Sequence, residues 1–360
     1  MTGAAGVSRD AARFVRVVRS GRACAVLRVG PYSIRVSPRT LGVGAIGALL
    51  LVALIVASLM IGARDPSFGG LSAVVTGEAS PSATRSVLGR RLPRALTAAL
   101  VGGLLGVSGA VFQSLSRNPL GSPDIIGFTA GAATAAVFQI VVLGGGMLAT
   151  AASAVIGGIV TALAVYWLAR RDGVSGGMRL VLVGIGVGAI MSALASLLIA
   201  RANLDDAMLA QLWSAGSLTG RGWTHVLLLL GVAAVTIPVL AVLARPLSLM
   251  EMGDESAQGV GVRVERVRFL IMVVAVAIAA AATAAAGPIA FIAFAAGQIA
   301  RRLAPVPGIL VGLSAVVGAV LLTAADLLAQ HLDVGVRTPV GLVTSVLGGC
   351  YLLWLLARRI

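Results

Sequence analysis

The chain has 360 residues, of which 58% are hydrophobic and 11% charged, with a net charge of +15 and a mean hydropathy of +1.02. A soluble domain carries roughly 25% charged residues, so the composition excludes an ordinary soluble protein and points to an all-α polytopic membrane protein. All 28 basic residues are Arg. A P-loop needs the Lys of GxxxxGK[ST], so the chain is no P-loop ATPase and any ATP it uses is handled on another subunit.

Residues 1–40 hold eight Arg and no long apolar run. A signal peptide would place its apolar region early. This segment reads as a basic cytoplasmic arm, either disordered or partly helical on the membrane surface. A transmembrane domain follows over 41–360. About ten apolar spans are predicted, at 41–62, 93–113, 125–143, 147–169, 178–200, 223–244, 267–286, 288–300, 308–330 and 339–357. The third and eighth are short and glycine-rich. Broken or tilted helices are expected there, tolerable only where protein covers the backbone.

Arg placement sets orientation. With the N-terminus cytoplasmic, twenty Arg fall inside and eight outside. Both termini are therefore expected in the cytoplasm. The polar stretch EMGDESAQGVGV, 251–262, then lies in the cytoplasm between the sixth and seventh spans. It holds three of the thirteen acids, Glu251, Asp254 and Glu255.

Charge inside the spans is scarce, Asp326 being the clearest case. Ion-driven transporters usually carry ionisable relays in the membrane, although backbone carbonyls also bind sodium. An ion-gradient-driven secondary transporter therefore stays open as an alternative, as does a membrane enzyme. Nothing marks a catalytic residue, a metal site or a cofactor. Cys24 and Cys350 lie near opposite ends, His225 and His331 are isolated, and HExxH, CxxC and GxSxG are absent. Asp205-Asp206 lacks the second carboxylate cluster of a prenyltransferase. GIGVGA (184–189) sits inside an apolar span and reads as helix packing.

Two constellations stand out. In residues 90–137, Arg90, Arg91 and Arg94 lie at the outer face, against the positive-inside trend. They either snorkel to lipid headgroups or meet an acidic partner. Gly102, Gly103, Gly106 and Gly109 form a small-residue face for close helix approach. Gln113 and Ser114 are polar at the inner end of that helix, and Asn118-Pro119 and Pro123-Asp124 break the chain beyond it. In the second constellation, Asp254 and Glu255 suit the first turn of a helix and Gly261 suits its end. Arg263, Arg266 and Arg268 follow at the membrane border.

RLPR, GGLLGVSGAVFQ and NPLGSPDIIGFTAGA, in that order, resemble the RxPR, GxxLxxSGxxxQ and NPLxxPxxxGxxxGA signature of the iron-siderophore and cobalamin importer permeases, the FecCD-type family of ABC transporters. LWSAGSLTGRGW (212–223), LSLMEMGDESAQGVGVRVERVR (247–268), GPIAFIAFAAGQIARRL (287–303) and the stretch 325–358 continue the resemblance. It covers roughly residues 45–358. Gly297-Gln298 stands where Pro-His is common, and Gln330 stands where many members have Arg.

The resemblance implies a type II ABC importer permease architecture. Two permease chains, as a homo- or heterodimer, would form the pathway for a ferric siderophore or related chelate. Two ATP-binding subunits would supply the energy. A coupling segment at 247–266 would seat on them through Gly253, Asp254, Glu255, Ala257 and Gly261, with Glu251 incidental. An extracytoplasmic substrate-binding protein would dock on Arg90, Arg91, Arg94 and Arg337. Gln113, Asn118, Pro119 and Gln298 would line the translocation path. The resemblance implies a bacterial plasma membrane and contact with its lipid, with no nucleic acid, metal or cofactor bound.

Overall fold

The structure is a computed structural model that describes residues 18–20, 24–29, 32–60, 76–119, 121–124, 127–170, 177–306, 308–332 and 338–357. Within the basic arm lie three short strands, β1 (Val18–Ser20), β2 (Cys24–Val29) and β3 (Tyr32–Val36), paired antiparallel in sequence order. The arm was read as disordered or partly helical, and here it forms strands. Its CAVLRV and YSIRV runs are rich in the β-branched and aromatic residues that favour a pleated strand.

Among the described residues, every element after the arm is a helix: α1 (Pro38–Met60), α2 (Pro81–Ser116), α3 (Phe128–Leu143), α4 (Met147–Ala169), α5 (Gly177–Arg201), α6 (Leu204–Ser214), α7 (Trp223–Glu251), α8 (Asp254–Gly259), α9 (Val264–Ala286), α10 (Ile292–Leu303), α11 (Val311–His331) and α12 (Val340–Ala357). Among the described residues seven of these are long and apolar enough to cross a membrane. With α3, α10 and α12 they account for the ten predicted spans. The remaining two helices, α6 and α8, lie between spans.

The central element is α2, packed against α11, α9, α10 and α7. Its glycine face allows this. A methyl group at Gly102 would overlap the Gly318 carbonyl oxygen, and one at Gly109 would overlap that of Ala293. In lipid, such backbone approach gains the dispersion contacts that water-driven burial supplies elsewhere. The N-terminal residues of α2 are irregular. Val87–Arg91 form a π turn in which the Leu92 N–H reaches the Val87 carbonyl. Pro93 follows with no N–H to give, so no helical donor serves the Leu88 carbonyl. The indole N–H of Trp223, at the start of α7, donates to it instead at 3.0 Å.

The two spans expected to be broken are short. Helix α3 runs 16 residues and ends in a π turn at Gln139–Leu143. Helix α10 has 12 residues, about 18 Å at 1.5 Å per residue, against a hydrocarbon core of about 30 Å. Residues 287–291 ahead of it are not helical, and Phe291 has φ 68°. Neighbouring backbone covers this break: the Ser217 N–H donates to the Ala286 carbonyl at 2.8 Å, and the Gly341 N–H to the Gly216 carbonyl at 3.3 Å. Irregular backbone at membrane depth survives under such cover.

The stretch before α7, outside the predicted spans, contains α6. Asn203 caps it, its side-chain oxygen accepting from the Asp206 N–H at 2.9 Å. Asp205 and Asp206 occupy its first turn, where they favour the helix dipole.

Candidate functional site

Three polar clusters interrupt the apolar bundle. The first lies at the α8 end. Helix α7 stops at Glu251, and Gly253 turns the chain with φ 123°, a backbone that L side chains rarely adopt. Asp254 then opens α8 but points back into the protein. Its carboxylate accepts from Arg268 Nη2 at 2.7 Å, and Arg117 Nη2 stands 3.4 Å from its other oxygen. Arg268 is buried on α9 and also holds Glu265, three residues earlier. Arg117 is the left-handed residue that ends α2. Asp254 therefore fastens α8 to both α2 and α9.

Glu251 carries no role in the sequence reading, yet it is engaged. Its Oε1 accepts from the Ser114 hydroxyl on α2 at 2.6 Å and lies 3.5 Å from Arg301 Nη2 on α10. Glu255 differs from both acids: it is exposed and has no polar partner among the described residues. Ala257 is buried under α8, and Gly261 turns the chain towards α9 with φ 87°. Met252 and Val260 are exposed apolar residues flanking Glu255. On α8 itself Ser256 and Gln258 are exposed beside Glu255, and Met252 and Val260 lie just outside its two ends.

The second cluster joins α2 and α10. Gln113 Nε2 donates to the Phe294 carbonyl at 2.9 Å, and Gln298 Nε2 donates to the Pro119 carbonyl at 2.7 Å. Both glutamines are buried within the chain. The Gln113 Oε1 is buried without a hydrogen-bond partner. A methyl group at Gly297 would come within 2.5 Å of that oxygen, so glycine at 297 makes room for the Gln113 amide. Asn118 follows the end of α2, its N–H donating to the Gln113 carbonyl at 3.2 Å. Gln113, Asn118, Pro119 and Gln298 are brought together, as a clasp between two helices.

The third cluster lies at the opposite end. Arg94 holds Asp326 through two nitrogens, Nη2 to Oδ1 at 2.7 Å and Nε to Oδ2 at 3.0 Å, and Gln330 Nε2 adds a bond at 2.8 Å. Asp326 is 2% exposed. The Arg94 charge is therefore compensated inside the protein. Arg91 donates to the Leu59 carbonyl at 2.8 Å, and Arg90 is exposed. These arginines line a cavity of about 530 Å³ together with Ser86, Gln330 and Arg221. Arg337 lies outside the described residues.

Arg221, which the sequence reading passed over, is 8% exposed. Its Nε donates to the Ser217 carbonyl at 3.3 Å, and Nη1 faces the Met147 sulphur at 3.8 Å. Burial pushes its pKa down. No group of three or more potential metal ligands occurs among the described residues.

Comparison with known proteins gives this geometry a context. The chain is 45% identical over 314 residues to the ferric enterobactin transport system permease protein FepG of Escherichia coli (strain K12), covering 86% of this chain and 95% of that protein. It is 38% identical over 340 residues to the achromobactin transport system permease protein CbrC of Dickeya dadantii (strain 3937), covering 93% and 96%. A solved metal-chelate type ABC transporter in an inward-facing conformation superposes with a TM-score of 0.76 at 26% identity, covering 89% of this chain and all of that one. The profile of the FecCD transport family matches residues 37–358, and the chain belongs to that family.

Proposed function

We propose that this chain is the membrane-spanning permease of an ABC importer that carries a ferric siderophore or related metal chelate into the cytoplasm. The observation that carries the reading is the 45% identity over nearly the whole length of FepG, a ferric enterobactin transport system permease. In this reading two permease chains form the pathway in a bacterial plasma membrane, with both termini cytoplasmic. Two ATP-binding subunits seat against α8, and a substrate-binding protein docks at the opposite end. ATP hydrolysis takes place on the partner.

The outward face of α8 supports the coupling role. Glu255, free of internal partners, is the residue that meets the ATPase, while Gly253, Asp254, Ala257 and Gly261 set the position of that face. Arg90 and Arg91 receive carboxylates of the binding protein, and Arg337 remains a candidate beside them. Arg94, already paired with Asp326, acts in docking through the shape of the rim. Gln113, Asn118, Pro119 and Gln298 border the translocation path as the clasp that alternates when α2 and α10 shift.

The test is uptake of iron chelate into proteoliposomes holding the permease with its ATPase and binding protein. ATP-dependent uptake that stops when hydrolysis is blocked is expected. Uptake that continues on an ion gradient alone would sink the reading.

A further inference from the structure

Arg221 lies between two cavities, the basic one already described and a second of about 530 Å³. Trp213, Leu209 and Leu212 of α6 and Ile140 of α3 contribute an apolar wall to the second cavity; Thr150 and Ser217 add hydroxyls. Its volume falls in the range of ligand sites, roughly 300–1,000 Å³, and so does its mix of apolar wall and few polar groups.

Arg221 is 8% exposed as a residue, and among the described residues no carboxylate lies within ion-pair reach of its guanidinium. Its partners are one carbonyl and one thioether sulphur, a weak acceptor. Taking a charge out of water without a counter-charge is costly. Asp206, the one acid on the cavity wall, is occupied by the Asn203 amide at 2.8 Å. A buried cation beside an open, partly aromatic cavity is a site for an anionic oxygen pair on a flat or apolar body.

We propose that Arg221 and Trp213 form a subsite for one anionic arm of a ferric chelate, the guanidinium taking the oxygens and the indole the arm's flat face. The proposal rests on the importer reading and narrows it to anionic chelates. A lipid phosphate would offer Arg221 the same oxygen chemistry, so the test separates the two sources.

The experiment measures equilibrium binding of radioiron chelates to the permease with its ATPase subunits, without binding protein, in phosphatidylcholine nanodiscs. The probes are a trianionic ferric tris-catecholate and a neutral ferric trihydroxamate. Arg221→Gln is expected to weaken the catecholate about tenfold, the loss of one charged hydrogen-bonding partner, and to leave the trihydroxamate unchanged. Arg221→Lys, which keeps the charge, retains an intermediate affinity, and Trp213→Leu weakens the catecholate alone. Equal catecholate affinity in wild type and Arg221→Gln overturns the subsite. So does phosphatidylglycerol retained by wild type and lost from Arg221→Gln in native mass spectrometry while chelate binding stays the same. Absence of any chelate uptake by the complete wild-type complex would overturn the importer reading itself, whereas normal uptake with unchanged binding in Arg221→Gln overturns only the subsite.

Discussion

At the scale of single residues, charge that is compensated inside the chain behaves differently from charge left open. Arg94 and Asp326 are each other's counter-ion. Asp326→Asn is expected to lower stability by about 3 kcal/mol, because it strands a partly buried cation. Replacing both residues by Leu is expected to cost less than either single change, read from melting in detergent. Arg90 and Arg91 stand at the edge of their cavity. Charge reversal at both is expected to weaken binding-protein association at low salt, and the difference should shrink as ionic strength rises. A steric pair gives another expectation. Gly297→Ala places a methyl group against the Gln113 amide and is expected to cost about 1–3 kcal/mol. Adding Gln113→Ala should return much of that loss in the same melting assay. Little of this was legible beforehand. Arg94 and Asp326 lie 232 residues apart, and nothing local in either segment names the other.

At the scale of elements, α8 separates two tasks that neighbouring acids share in sequence. Asp254 holds the helix onto Arg117 and Arg268, and Glu255 faces away. Glu255→Arg is expected to leave the melting temperature unchanged and to abolish stimulation of the partner ATPase. Asp254→Ala is expected to lower both, since Arg268 stays buried with one partner fewer. Equal effects of the two substitutions in proteoliposomes would count against the division. The family resemblance supplied this helix, its acids and glycines being consistent with it, and left Glu251 as incidental, although its partners sit on α2 and α10. Helix α6 escaped notice because a short helix with one buried residue has no long apolar run to announce it. Its Asn203 cap and two following acids were the available signal. The strands of the arm escaped for a related reason: arginines interrupt their apolar residues.

For the whole molecule, the ten spans were readable because lipid demands long apolar stretches, and the short ones were readable because glycine and proline interrupt them. Which helix stands at the centre was not readable from hydropathy. Helices α1 and α2 are both apolar, yet 6% of the best window of α1 is buried and 78% of that of α2. Small residues let neighbouring backbones approach α2, but α5 carries four glycines and only 11% of its best window is buried, so small residues alone do not mark the central helix. The apolar faces of α1 and α5 are largely bare in the single chain, and in the proposed importer they meet lipid or the second permease. The purified permease is expected to run as a dimer in native mass spectrometry after mild detergent extraction. A strictly monomeric particle would speak against a homodimer and for pairing with a different permease chain.

The π turn at Val87–Arg91 has a mechanical consequence. Beyond it towards the chain's start, α2 is no longer a rigid rod, because helices bend most readily where the regular bonding ladder is broken. Below it, α11 grips the helix at Gly102 and Arg94 is bolted to Asp326. Arg90 and Arg91 close this turn, on a lip held to α7 by the Trp223 indole and to α1 by the Arg91 bond to the Leu59 carbonyl. A protein landing on that lip can tilt it without disturbing the packed helices beneath. Trp223→Phe removes one of these two holds and should widen the angular spread of the lip, seen as broader spin-label distances between residue 85 and the body of α11.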